Sequence, residues 1–285
     1  MKIRIKYKML SPVSHIGEVA STGSYFQTIK TSSGRLPIIT GNSVRGILRD
    51  SGAKVLLDAT GEKISKEVFN ILFSGGNLNG TIKNDVGKAK AVRENIPFVS
   101  MFGGGLGDMI MSGKMLVGNL YPITSETYEM LGEKYTDISW KNLIDEIEFT
   151  RTDDGKNDTL TDYMTDPTEE KKAKANTQMR FSVQYMAQGT EFAQDIYLMD
   201  NTTDLEKGAL YSAFLKWFET PKIGGMSAKG FGIFDAESNL GINVVNGEAA
   251  APDDVLELVE KYLHFIKSVG GNALELLESG KSGKK

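Results

Sequence analysis

Residues 36–49 read L-P-I-I-T-G-N-S-V-R-G-I-L-R. Leu36 to Ile39 is a short apolar run with the character of a buried strand. Gly41 breaks it, and Asn42 or Ser43 is a good helix N-cap. The helix that follows is expected to run to about Ala59, where Gly61 can end it. Val44, Ile47, Leu48 and Val55 form its buried stripe. Arg45 and Arg49 are four apart, so they share one face near the N-terminal end. Unpaired backbone N–H groups and the helix dipole favour a phosphate at such an end. The other reading is an ordinary capped helix with exposed arginines.

Upstream, residues 2–10 read K-I-R-I-K-Y-K-M-L. Ile3, Ile5, Tyr7 and Met9 alternate with Lys2, Arg4, Lys6 and Lys8, the period of two of a half-buried strand. Its basic face is either solvated or turned to phosphates. This N-terminus lacks the continuous apolar run of a signal peptide. Residues 11–34 are rich in Ser, Gly and Thr and read as a loop, with a short strand around Phe26 to Lys30.

Downstream, a short helix is expected over 65–73, a strand over 114–120, and a mixture of helix and loop over 124–147. Residues 150–180 are polar, with almost no apolar periodicity, and read as a protruding insertion. Strand-like alternation returns from Phe181 to Leu198. Leu205 to Glu219 is a helix with apolar Leu205, Ala209, Leu210, Ala213, Phe214 and Trp217. Gly224 to Gly232 is a glycine-rich loop leading into a strand, and residues 253–278 form an acidic amphipathic helix or helix pair. The order β, α, β, insertion, β, α, β predicts an α+β sandwich of the ferredoxin-like kind with insertions.

Composition narrows the function. The chain has 285 residues, no cysteine and two histidines, so thiolate sites are excluded and a His-rich zinc site is disfavoured. No apolar run is long enough for a membrane helix, and a cytoplasmic location is expected. The net charge is -4, yet residues 1–60 carry nine Lys/Arg against three Asp/Glu, a local +6. Such asymmetry leaves room for one basic surface on an acidic protein. Enzyme signatures fail. Five residues separate Gly107 from Gly113 where a P-loop needs four, and Met115 replaces its Ser or Thr. The acidic run around Gly155 lacks EF-hand spacing, and no nucleophile elbow is present. No metal or cofactor is expected.

Three separated segments resemble one family. Residues 36–49 are similar to the P-x-I-P-G-S-S-L-K/R-G-x-L/M-R segment of the RAMP superfamily of CRISPR-associated proteins. I-G-G-M-S-A-K-G-F-G, residues 223–232, resembles that superfamily's C-terminal glycine-rich loop, where glycines let backbone approach a sugar-phosphate chain and Lys229 adds charge. S-P-V-S-H-I-G, residues 11–17, resembles the H-I-G-G segment of type III backbone subunits, with Glu18 in place of the second glycine. Residues 179–192 look like the strand returning from the thumb of such subunits, and M-F-G at 101–103 resembles a further short motif.

The resemblance implies an RRM-like palm over 1–149 and 181–250, a thumb over 150–180, and a C-terminal acidic helical extension over 251–285. It implies a backbone subunit that binds guide RNA without sequence preference. Copies would assemble head to tail along the guide beside other CRISPR effector subunits and present it for target pairing. The implied RNA-binding residues are His15, Asn42, Ser43, Arg45, Arg49, Gly224, Gly225, Met226, Ser227 and Lys229. Type III relatives cut target RNA with an Asp in the loop after H-I-G-G. Ungapped alignment from Pro37 puts Tyr25 there, and residues 19–35 contain no Asp or Glu. The expectation is therefore a non-cutting, type IV-like subunit. One rival is an enzyme using Asp50 or His15, either a type III-like subunit that cuts target RNA or a guide-processing RAMP endonuclease, and a structural protein unrelated to RNA is the other.

Overall fold

The computed structural model describes residues 1–19, 23–32, 34–76, 86–151 and 179–278. The chain runs β1 (Lys2–Met9), β2 (Ile16–Val19), β3 (Gly23–Phe26), β4 (Thr28–Thr31), β5 (Gly34–Pro37) and α1 (Gly41–Thr60). Next come α2 (Lys66–Phe69), α3 (Val86–Asn95), α4 (Pro97–Phe102), β6 (Gly104–Leu106), β7 (Met109–Met111), β8 (Met115–Val117), β9 (Tyr121–Pro122) and α5 (Tyr128–Leu131). The remainder is β10 (Ile144–Arg151), β11 (Met179–Met186), β12 (Glu191–Leu198), α6 (Asp204–Phe218), β13 (Phe234–Ser238), β14 (Asn243–Val245), β15 (Glu248–Ala250) and α7 (Asp253–Glu275).

The main sheet has the order β15-β14-β13-β1-β12-β8, with β9 also paired to β12. Within it, β1-α1-β8-β12-α6-β13 is a β-α-β-β-α-β unit. Its strands lie in the order fourth, first, third, second, and every neighbouring pair is antiparallel. This is the expected ferredoxin-like palm. The alternation of β1 decides which face is covered: Ile3, Ile5, Tyr7 and Met9 are buried with Phe192, Ile196 and Leu198 of β12. Against them pack Phe214, Trp217 and Phe218 of α6 and Phe234 of β13, all buried. Fully burying one such ring contributes about 1.5–3 kcal/mol. Tyr7 lies edge-on to Phe234 at 5.2 Å, and its hydroxyl donates to Gln194 Oε1 at 2.8 Å, so the polar tip inside this core is satisfied.

Helix α6 opens with a full capping box between Thr203 and Glu206. Glu206 is also paired with Lys114 at 2.8 Å, which fixes the helix start to the approach of β8. Helix α7 lies along α6 and α1, with Val255, Val259, Tyr262 and Ile266 buried. It is a helix pair, because Gly270 interrupts it with φ 54 and ψ -153. No helix among the described residues is long and apolar enough to cross a membrane.

A second sheet, β10-β11-β3-β2, departs from the expectation. Much of residues 11–34 is strand where a loop was expected, and β10 occupies part of the 124–147 stretch. The reason is non-local pairing: β3 runs parallel to β11, with Ser182 opposite Gly23 and Val183 opposite Ser24. Strands β10 and β11 form an antiparallel ladder from Ile144↔Met186 to Arg151↔Met179. The ladder ends at Arg151 and Met179, and nearly all of the thumb expected over 150–180, residues 152–178, lies outside the described residues.

Candidate nucleic-acid interface

The three segments far apart in sequence converge. His15 Nε2 accepts a hydrogen bond from the Thr40 backbone N–H at 3.2 Å, which ties the loop after β1 to the start of α1. One residue earlier, Ser14 O accepts from Gly225 N at 2.7 Å. Gly232 N donates to Pro12 O at 2.8 Å, and Leu10 N donates to Ile233 O at 2.8 Å, so the glycine loop is stitched along residues 10–14. Gly224 is required by this contact. Its φ is +80°, and a Cβ there would lie 2.4 Å from Ser14 O.

Helix α1 begins one or two residues before the expected cap. Thr40, not Asn42 or Ser43, is the N-cap, its side chain accepting from Ser43 N at 3.4 Å. The cause lies across the sheet edge. Gly41 is buried at the first helical position, its N–H donates to Asn119 Oδ1 at 2.9 Å, and a Cβ would sit 2.2 Å from Val117 O. Asn42 is thereby exposed and Ser43 half-buried on the first turn of a helix with no acidic residue in that turn.

The two arginines do not behave alike from the solvent side, but both are held by the protein. Arg49 is buried, donating to Phe102 O at 2.7 Å, Gly103 O at 3.0 Å and Ile71 O at 3.3 Å. Burial, then the neighbouring Arg45 charge, lowers its pKa to about 10. Arg45 is half-buried and donates to the same Phe102 carbonyl at 2.6 Å. The phosphate role expected for Arg49 is corrected: its guanidinium anchors M-F-G, residues 101–103, to α1.

The basic face of β1 is also engaged. Arg4 bridges Asp195 at 3.0 Å and Glu133 at 3.0 Å, Lys6 pairs with Glu133, and Lys2 pairs with Asp195 at 2.9 Å. Burial works to raise the Glu133 pKa, yet the Lys6 and Arg4 hydrogen bonds and charges bring it below the usual carboxylate range. For Lys2, Arg4 and Lys6 the phosphate-facing reading therefore gives way to internal ion pairing.

Lys229 is different. It is exposed, at the end of the short helical turn Ser227–Lys229, and among the described residues no carboxylate lies within ion-pair distance. Its ammonium sits 3.7 Å from the centroid of Phe149 on β10 and 5.1 Å from that of Phe181 on β11. Met226 begins that turn with φ 61, a left-handed conformation unusual for a side-chain-bearing residue. Tyr185 of β11 meets Phe231 of the loop edge-on at 6.0 Å. Phe149, Phe181 and Tyr185 were missed by sequence reasoning. The available signal was an aromatic on each side of the polar insertion.

Of the expected residues, His15, Gly224 and Gly225 take part directly in these contacts, and Ser43 joins them through the Thr40 cap; Met226, Ser227 and Lys229 belong to the loop so held, and Asn42 is exposed beside the cap. Burial lowers the His15 pKa, which favours the neutral ring that accepts from Thr40. Tyr25, the residue at the cutting position of type III relatives, is exposed on β3. Asp50 is about 15 Å along α1 from Thr40 and so is not a partner of His15. Among the described residues no group of three or more His, Asp or Glu could hold a metal ion.

A family model described as the RAMP superfamily matches residues 6–235. Among solved structures, a chain from a type IV-B CRISPR complex superposes with a TM-score of 0.63 at 18% identity, covering 88% of this chain and 95% of that one. A chain from a type III-B Cmr-beta complex bound to cognate target RNA gives a TM-score of 0.44 at 12% identity, covering 83% and 60%. No curated protein matches. At these identities the likeness to the type IV-B chain is one of fold.

Proposed function

The chain belongs to the RAMP superfamily, and from that premise we propose that it is the guide-RNA-binding backbone subunit of a multi-subunit CRISPR effector complex of the type IV kind. It polymerises head to tail along the guide and presents it for target pairing, and it does not cut the target. The observation that carries this reading is the convergence of residues 11–17, the start of α1 and the glycine loop through Ser14–Gly225 and His15–Thr40. The positive end of the α1 dipole and the Lys229 ammonium are thereby both tied to residues 10–15, and both favour the phosphates of a sugar-phosphate backbone. Such contacts go to phosphate and ribose, so binding is indifferent to sequence. The likeness of fold to a type IV-B complex chain supports the subtype. The lack of any carboxylate in residues 19–35 supports the non-cutting role, because a scissile phosphate needs a group to hold a cation or move a proton.

The test is filter binding of short single-stranded RNA over a salt series. The expected result is sequence-tolerant binding that weakens steeply with salt, and Lys229→Ala should lower the slope by about one unit. Absence of salt-dependent RNA binding by the wild-type chain would refute the reading. Incubating the assembled complex with magnesium and a complementary RNA tests the second half. Regularly spaced cuts that vanish on changing one residue of this chain would instead establish the type III-like alternative.

A further inference from the structure

Phe149 and Phe181 form a stacked pair, with ring centroids 5.5 Å apart and planes 26° from parallel. They face each other across the β10–β11 ladder, two pairs before its open end. Phe181 is 37% exposed and Phe149 half-buried, so the pair presents π surface at the rim of the palm rather than filling a core. The group seated on that surface is the Lys229 ammonium, from the loop whose glycines approach residues 12–14. A cation over an exposed ring is held weakly, and a flexible lysine leaves it readily.

We propose that the Phe149–Phe181 pair is a stacking platform for one unpaired nucleobase of the bound RNA, and that Lys229 occupies the platform only until RNA arrives. This rests on the RNA-binding reading above. A base offers a larger flat π surface than an ammonium, and base–aromatic stacking is tolerant of sequence. The displaced Lys229 ammonium turns to the phosphate that arrives with the base, so one side chain exchanges a ring for an anion. The platform sits two pairs from the end of the β10–β11 ladder. A base held there is fixed at one point in each subunit's stretch of RNA, which sets the register of the strand along the surface.

The experiment uses the full chain and a pyrimidine single-stranded RNA carrying 2-aminopurine at successive positions. Wild-type protein should bind and quench the fluorophore at a defined position through stacking. Phe149→Leu with Phe181→Leu keeps the apolar volume that supports the ladder but removes the rings. It should lose the quenching and bind about tenfold more weakly at an unchanged salt slope. Lys229→Ala should keep the quenching and lower the slope by about one unit. If the double Leu variant binds RNA and quenches as the wild type does, the platform is overturned and the RNA-binding reading stands. If wild-type chain binds no RNA, both fall together.

Discussion

The outer face of β1 and the glycine loop are both basic in sequence and differ in what the fold does with the charge. On β1, Lys2, Arg4 and Lys6 meet Asp195 and Glu133 at ion-pair distance. In the loop, Lys229 meets only aromatic rings among the described residues. The first set ties the sheet's open face to the segment around Glu133, its lysines paired although half exposed, while the second leaves a cation with no carboxylate partner among the described residues. Counting basic residues therefore identifies neither. What separates a structural cation from a ligand-binding one is the carboxylate or carbonyl that the fold brings to it.

The largest effect is expected at Arg49, which the sequence places among the binders and the structure places inside. Arg49→Ala should destabilise the protein by about 2–4 kcal/mol, because three backbone carbonyls lose a charged donor in a buried site. Arg49→Lys should recover little, since an ammonium cannot reproduce the planar fork. Urea denaturation measures both. An Arg49→Ala variant of wild-type stability that loses RNA affinity would return this residue to the interface.

Arg4→Ala should give a smaller effect, about 1 kcal/mol, because Lys2 and Lys6 remain beside Asp195 and Glu133. Its RNA salt slope should not move. A fall in slope comparable to that of Lys229→Ala would show that the β1 face contacts phosphates after all.

The palm was legible because its signals are local. Alternation in β1, the apolar stripe of α6, and the strand–glycine–helix run at 36–49 each sit within fourteen residues. The second sheet was not legible, because G-S-Y-F of β3 becomes a strand by pairing with Ser182 and Val183, about 160 residues away. The β1 cations failed for the same reason, as Glu133 is 127 residues from Lys6. The helix cap was misplaced by two or three residues because Gly41 must pack against Val117 O, which no local pattern reveals. Within the interface, glycines and His15 could be named from motifs. Phe149 and Phe181 could not, because only the β10–β11 register sets them face to face.

His15 gives the smallest expected effect and tests whether the two ends of the interface are held by the bond described. Its Nε2 accepts from Thr40 N–H, so the bond exists only with the neutral ring. Burial lowers its folded-state pKa below the usual value near 6.5. Above that value both folded and unfolded chains carry neutral His15, and its contribution to stability is complete. As pH falls through the unfolded-state value, the unfolded chain takes up a proton that the folded chain refuses, and stability declines. The decline ends below the folded-state pKa, where both states are protonated. His264, the second histidine, is exposed on α7 and away from this contact. Denaturant midpoints of wild type and His15→Gln between about pH 5.5 and 7.5 should therefore converge as the pH drops, because the wild type alone loses this contribution. Midpoints that stay parallel would show that the ring does not accept from Thr40.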